Sequence, residues 1–111
     1  MAIIRKIIKN LTPHEVRVLN DNNEVVVAMI SEGIARVSSE SKVVDTLNGV
    51  PITETVFGEV TGLPPETEGT YYVVSRMVAS AASERHDLLV PGLQVRDEQG
   101  RVVGCKSLDR P

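Results

Sequence analysis

The dipeptide Asn48-Gly49 constrains the fold of this chain more than any other local feature. It stands between Lys42–Leu47 and Val50–Phe57, two segments rich in strand-forming residues. A two-residue type I′ turn needs positive φ at both central positions, and Asn followed by Gly meets that need well. The two segments are therefore predicted to form an antiparallel hairpin. Pro51, which has no N–H, should lie at a strand start or on an edge.

Further strand segments flank this hairpin. Glu15–Leu19 alternates polar and apolar residues, whereas Val25–Ile30 is continuously apolar. These two segments are predicted to pair across the turn at Asn20–Asn23, with the apolar one as a central strand. Together with the hairpin they belong to a set of strands whose other members are residues 2–9, 33–37, 71–75, and a closing hairpin of 93–96 with 101–106.

Only one helix is predicted, over residues of about 76–85, which are rich in Ala and lack Gly and Pro. One face would carry Met77, Val78, Ala81 and Ala82 toward the sheet, leaving Ser80, Ser83 and Glu84 in solvent. The predicted fold class is α+β: a mostly antiparallel β-sheet or small barrel with this short helix packed on it. Residues 1–111 are predicted to form a single globular domain.

Composition restricts the partners. The net charge is −3, the basic residues are scattered, and the only aromatic residues are Phe57, Tyr71 and Tyr72. A nucleic-acid partner is not expected, because such proteins need a clustered positive surface and, for single strands, stacking side chains. The single cysteine, Cys105, fits a reducing compartment. With no apolar run of signal-peptide or membrane-spanning length, a cytoplasmic protein without a membrane partner is expected.

The junction between the strand at 71–75 and the helix is the segment that most suggests a binding site. Ser75 is a good N-cap, and free amides at a helix start attract anions. Arg76 in the first turn opposes the helix dipole, which becomes favourable if a phosphate or carboxylate lies beside it. The alternative is that Arg76 forms an ordinary surface ion pair.

The other end of the helix carries Arg85, His86 and Asp87. Arg85 complements the C-terminal dipole, and His86 beside Asp87 could be an oriented general base. Neither a nucleophile nor a metal is specified by spacing, so a solvated helix end is the simpler interpretation. His14, His86, Asp87 and Cys105 lack the close spacing of zinc ligands, and no phosphate-binding or dinucleotide-binding motif is present. No metal or cofactor is predicted.

Two blocks of sequence are similar to a known group of proteins. They are Asn10-Leu11-Thr12-Pro13-His14 and the stretch from Val74-Ser75-Arg76 through Arg85-His86-Asp87 to Gly100-Arg101. Both resemble small uncharacterised proteins of actinobacteria and their phages, and the resemblance covers nearly the whole chain. It implies context alone: small phage proteins of this kind often counteract host defence, by sequestering nucleotide signals or by binding a defence protein.

These observations favour non-enzymatic binding and sequestration of a phosphorylated, nucleotide-like small molecule by a homo-oligomer. In this hypothesis Arg76 and Arg85 hold anionic groups, Ser75 and the adjacent amides add hydrogen bonds, and Tyr71 or Tyr72 stacks on a base. His86 is the sixth residue expected at the ligand. Two alternatives stay open. The first is a protein–protein inhibitor or scaffold that acts on a host defence protein through a strand edge or the helix face. The second is a small hydrolase that uses His86, Asp87 and His14.

Overall fold

The computed structural model describes residues 6–111, and residues 2–5 of the first predicted strand lie outside this range. The described residues form ten strands and one six-residue helix. They are β1 (Ile7–Asn10), β2 (Val16–Leu19), β3 (Val25–Met29), β4 (Arg36–Leu47), β5 (Val50–Thr61), β6 (Thr70–Val73), α1 (Arg76–Ala81), β7 (Leu88–Pro91), β8 (Gln94–Arg96), β9 (Val102–Cys105) and β10 (Leu108–Asp109).

The strands build three sheets. The central sheet has the order β1-β6-β7-β10, the outer sheet has the order β3-β2-β9-β8, and β4 with β5 forms a separate two-stranded arm. The α+β class is confirmed, with open sheets and no closed barrel among residues 6–111. The pairing is more mixed than predicted, since β1, β6 and β7 are mutually parallel and β2 pairs parallel with β9.

Side chains of β6 alternate between two hydrophobic cores, as the period of two in a strand requires. Tyr72, with Val74 just beyond the strand, packs beneath α1 in the first core. Val73 points the other way, to Val16 and Cys105 of the outer sheet in the second core. The central sheet is therefore a middle layer, with the helix on one side and the outer sheet on the other.

The helix is shorter than predicted and rotated relative to the predicted face. It ends at Ala81, and the backbone of Ala82 leaves the helical region with φ −111° and ψ 44°. Val78, Ala79 and Ala82 are buried, whereas Met77 is exposed and Ala81 only half-buried. The prediction that Met77 faces the sheet was wrong. Ala79 occupies the buried face instead, because a small side chain allows the close approach of helix and sheet.

The predicted central strand Val25–Ile30 is an edge strand. β3 pairs only with β2, and Val25, Val26, Val27 and Ile30 are all exposed. Its hairpin partner and turn were predicted correctly, and so was the closing hairpin of β8 and β9. A continuous apolar run is typical of a strand covered on both faces, but here Met29 is the residue of the run that packs against a core within residues 6–111.

The arm is the longest element of the fold. β4 and β5 each have 12 residues and pair antiparallel from Arg36↔Thr61 to the turn at Asn48-Gly49. The turn has φ values of 50° and 79°, which confirms the predicted hairpin loop. Only the base is anchored, through Val37 and Val60 at the first core. No helix among residues 6–111 is long and apolar enough to cross a membrane.

Candidate binding cleft

A cleft of about 520 Å³ opens between the central and outer sheets. One wall comes from the carboxyl ends of the parallel strands: Thr12 and His14 follow β1, Ser75 follows β6, and Pro91 ends β7. Side chains converge there because parallel strands finish at the same edge of a sheet. In open sheets with parallel strands, ligands commonly bind at this edge.

The second wall of the cleft belongs to the outer sheet. It consists of Glu15, Val16 and Arg17 at β2, Gln94 of β8, and the strand β9 from Val102 to Cys105. Most of the lining is apolar, and the volume lies in the range of small-molecule sites, about 300–1,000 Å³. A mostly apolar cleft with a few polar side chains suits an organic ligand better than a bare ion.

The polar groups of the cleft are only partly used by the protein itself. Arg17 donates from Nε to Oε1 of Glu15, whereas its two Nη atoms have no hydrogen-bond partner among residues 6–111. Cys105 is buried, and its thiol donates to the carbonyl of Arg17 at 3.4 Å. This contact joins β9 to β2 within the second wall. Among the described residues that line the cleft, Arg17 is the only Lys or Arg.

The loop that carries Thr12 and His14 is held by a fully buried asparagine. The Asn10 side-chain amide donates to the carbonyls of His14 and Met29 at 2.7 and 2.9 Å. Its Oδ1 accepts from the amide and the hydroxyl of Thr12 at 2.9 and 2.6 Å. All the polar atoms of this side chain are therefore satisfied, and Asn10 sets the geometry of one wall of the cleft.

Ser75 and Arg76 have different environments. Ser75 lines the cleft and is the N-cap, since its Oγ accepts from the amide of Val78 at 3.2 Å. Arg76 does not line the cleft; its side chain is 70% exposed and lies 3.7 Å from Asp109. Of the two interpretations of Arg76, the geometry matches the surface ion pair. A helix of six residues also has too small a dipole to define an anion site by itself.

Arg85 is committed to the protein interior. It binds Asp87 with Nε and Nη2 at 2.9 and 2.7 Å, and Nη2 also donates to the carbonyl of Pro64 at 2.8 Å. Glu66 lies 3.3 Å from Nε. The hydrogen bond to Asp87 raises the pKa of Arg85, and the same bond lowers the pKa of Asp87. Arg85 lies beyond the end of the helix, so its side chain forms the ion pair with Asp87 rather than interacting with the helix dipole.

His86 is exposed and makes no hydrogen bond to Asp87, whose two oxygens are both occupied by Arg85. The oriented acid–base pair of the hydrolase hypothesis is therefore not formed. Arg85 and His86 do share a second, smaller hollow of about 210 Å³, which also involves Arg110. Its lining lies at and beyond the C-terminal end of the helix and shares no residue with the cleft.

The two tyrosines lie on opposite faces of β6 and cannot act together. Tyr72 is buried in the first core, so its ring cannot stack on a ligand. Tyr71 is half-buried, and Nζ of Lys6 lies 5.8 Å from the centre of its ring. Of the six side chains expected at a ligand, only that of Ser75 borders the main cleft.

Sequence reasoning missed the outer-sheet wall, above all Arg17 and Gln94. Both residues alternate outward in short strands, and nothing in their spacing distinguishes them from ordinary surface residues. Within residues 6–111 no three His, Cys, Asp or Glu side chains are grouped to hold a metal ion. Comparisons with protein-family models, with curated proteins and with solved structures find no match for the chain.

Proposed function

We propose that the protein binds a small organic molecule in the cleft between its two sheets and sequesters it without chemical turnover. The cleft at the carboxyl ends of β1, β6 and β7 is the observation that carries the proposal. Its volume, its apolar lining and its few convergent polar groups are the usual features of a ligand site.

The chemistry of the walls favours a ligand with two parts. Pro91, Val102 and Val103 offer apolar surface for a flat ring such as a nucleobase. The free Nη donors of Arg17 can bind a phosphate or carboxylate in bidentate fashion. A nucleotide-like molecule combines these parts, and its removal from solution would agree with the counter-defence role that the sequence resemblance implies.

Sequestration is preferred to catalysis because a reaction needs a nucleophile or metal beside an oriented base. Cys105 points into a backbone carbonyl, and His14 has no carboxylate hydrogen-bonded to it among residues 6–111. Binding by itself requires only the cleft and its donors.

Thermal-shift measurements across cyclic dinucleotides, ADP-ribose derivatives and ordinary nucleotides test this proposal. A ligand at a hundredfold excess over its dissociation constant stabilises the fold by about 2.7 kcal/mol. For a domain of this size the melting temperature should rise by about ten degrees or more. Arg17→Ala should weaken binding about tenfold to a hundredfold, since hydrogen bonds to charged groups contribute roughly 1.5–3 kcal/mol.

Arg76→Ala is the matched control, because it removes the same side chain from outside the cleft. It should keep the full ligand-induced shift and leave the unliganded melt almost unchanged, as its exposed ion pair contributes about 0–1 kcal/mol. Loss of the shift in Arg76→Ala but not in Arg17→Ala would move the site back to the start of the helix. Absence of any thermal shift, together with no heat of binding in isothermal titration calorimetry, would contradict small-molecule binding.

A protein-binding function is the second candidate, and β3 is the observation that favours it. One edge of this strand has no sheet partner among residues 6–111, and Val25, Val26 and Val27 are exposed along it. An extended segment of another protein could add to such an edge through main-chain hydrogen bonds. A proline at a β3 position whose N–H points away from β2 would remove a backbone donor from this edge. It should abolish capture of a protein partner while leaving ligand-induced shifts intact.

A further inference from the structure

The two faces of the arm differ sharply in charge. Directly paired residues share a face and successive residues alternate, so the register of β4 and β5 assigns the face of each position. One face, here called the uncharged face, contains only hydroxyl, aliphatic, aromatic and proline side chains. Its members are Ser39, Ser41, Val43, Thr46, Pro51, Thr53, Thr55 and Phe57.

The opposite face, here called the charged face, holds the ionisable residues of the paired positions. They are Arg36, Glu40, Lys42, Asp45 and Glu54. Leu47, Val50, Ile52 and Val56 lie between them on the same face. Two β-bulges, at the register shifts Val37/Ser39 and Val43/Asp45, keep this segregation through the length of the arm by resetting the alternation. A ribbon that simply projected into water would have no reason to keep one face free of charge.

The uncharged face extends the first core outward. Val37 and Val60 occupy this face at the base of the arm, where they pack against the core beneath α1. Beyond them Phe57 and Val43 are exposed, and no other element of residues 6–111 covers the distal arm. An isolated two-stranded ribbon is marginally stable in water, so the length of the arm calls for a covering surface.

The solvent-accessible surface of the molecule is larger than that of a compact monomer of the same mass. The molecule exposes 8069 Å², whereas a compact monomer of 12.1 kDa exposes about 6,000 Å². The excess of about 2,000 Å² exceeds the roughly 800 Å² that each partner contributes to a stable interface. Residues 38–59 of the arm are all exposed and contribute to this excess.

We propose that the uncharged face of the arm packs against the same face of a second copy of this chain, in a twofold symmetric dimer. Charge favours this occupant: each chain carries −3, and the uncharged faces are the arm surfaces that can meet without opposing like charges. A twofold contact uses one patch twice, and two faces of Ser, Thr and Val can stack as the inner faces of a sandwich do. Neither arm strand borders the binding cleft, so this dimer is independent of the proposed function.

Sedimentation equilibrium on two valine variants tests the dimer. The parent protein should have twice the 12.1 kDa mass of one chain. Val43→Asp puts a carboxylate on the uncharged face and should raise the dimer dissociation constant about 100-fold or more, because an unpaired charge would be buried. Val56→Asp makes the same change on the charged face, and its dissociation constant should stay within about threefold of the parent. A monomeric parent at about 100 μM, or equal dissociation of both variants, would overturn the dimer.

Cross-linking gives a second measurement that does not depend on the stability of these variants. Thr55→Cys lies on the uncharged face and Glu54→Cys on the charged face, while native Cys105 is buried and unreactive. A short bis-maleimide should join two Thr55→Cys chains and leave Glu54→Cys chains single, because faces of packed sheets lie about 10 Å apart. Equal linkage at both positions, or linkage at neither, would assign the uncharged face to a different partner and reject the twofold contact.

Discussion

Asn10 and the pair formed by Arg85 and Asp87 connect separate parts of the chain through buried polar contacts. Asn10 ties the end of β1 to the loop at His14 and to the end of β3. Arg85 ties the start of β7 to Pro64, in the loop that follows the arm. In this fold each has a structural role that needs no ligand.

At the residue scale the pH dependence of the Arg85–Asp87 pair is testable. Asp87→Asn should destabilise the protein by about 3 kcal/mol at pH 7, because Arg85 would keep its charge in a mostly buried position. The folded-state pKa of Asp87 lies below its ordinary value of 3.8. Its stabilising contribution is therefore complete above pH 3.8 and is lost as the pH falls through the lower folded-state pKa.

Urea denaturation of the parent and of Asp87→Asn at pH 7, 5 and 3 measures this difference. The gap between the two proteins should be constant from pH 7 to 5 and smaller at pH 3. Asp109→Asn, which disrupts only the exposed contact with Arg76, should change stability by less than about 1 kcal/mol throughout. A gap for Asp87→Asn that is equally large at pH 3 would contradict the charge-based account.

At the element scale the arm is a hairpin whose turn and base are ordered for different reasons. The turn depends on the backbone conformation of Asn48 and Gly49, at φ 50° and 79°. The base depends on Val37 and Val60 against the core, and on Gly62, where an added Cβ would lie 2.3 Å from the carbonyl oxygen of Ile34. Between them no other element of residues 6–111 packs on the ladder of backbone hydrogen bonds.

Gly49→Val should therefore weaken the arm without unfolding the central and outer sheets. A β-branched residue at φ 79° costs about 1–3 kcal/mol in strain, although nothing lies within 4 Å of the added side chain. Amide exchange of residues 43–54 should accelerate by roughly tenfold or more, because each 1.4 kcal/mol is a factor of ten.

Gly100→Val is a matched control for this prediction, since Gly100 has φ 81° and equally open surroundings in the turn between β8 and β9. It should accelerate exchange in that hairpin and leave the arm unchanged. If Gly49→Val accelerated exchange equally throughout the central sheet, the arm and the body would have to unfold as one unit.

At the scale of the whole molecule, the shape is that of a small layered body with a projecting arm. The radius of gyration is 17.3 Å and the extents are 60 × 41 × 22 Å. A compact domain of this length has a radius of about 13 Å. Both cores lie in the body, and from the arm only Val37 and Val60 pack against them.

Replacement of residues 41–55 by Asn-Gly should leave a folded body. This replacement keeps Glu40 opposite Val56, next to a two-residue turn of the same type as Asn48-Gly49. Small-angle scattering should give a monomer with a radius near 13 Å. Its melting temperature should lie within a few degrees of the parent measured at low concentration, because the removed residues contact neither core. Loss of the cooperative melt would instead make the distal arm part of the folding unit.

The local chemistry of the sequence determined the elements. Asn48-Gly49 specified its turn, because only a few residue pairs tolerate positive φ at both positions. Ser75 specified the start of the helix, because its hydroxyl can accept an amide of the first turn. The α+β class followed from the spacing of apolar residues between such signals. The extent of β4 and β5 was underestimated, because the residues at the base of the arm, 36–41 and 58–61, are mostly hydroxyl-bearing or charged and lack the apolar pattern of a half-buried strand.

Tertiary structure alone decided which elements meet. The parallel order of β1, β6 and β7 brings Thr12, Ser75 and Pro91 to one cleft, although they are far apart along the chain. It also placed β3 at the edge of the outer sheet, although its run of valines is typical of an interior strand covered on both faces. Sequence proximity suggested a pair of His86 and Asp87 as one alternative, whereas packing pairs Asp87 with Arg85. The physical reason is the same in each case: local sequence fixes backbone conformation and side-chain period, but contacts between distant segments are set by the packing of the complete chain.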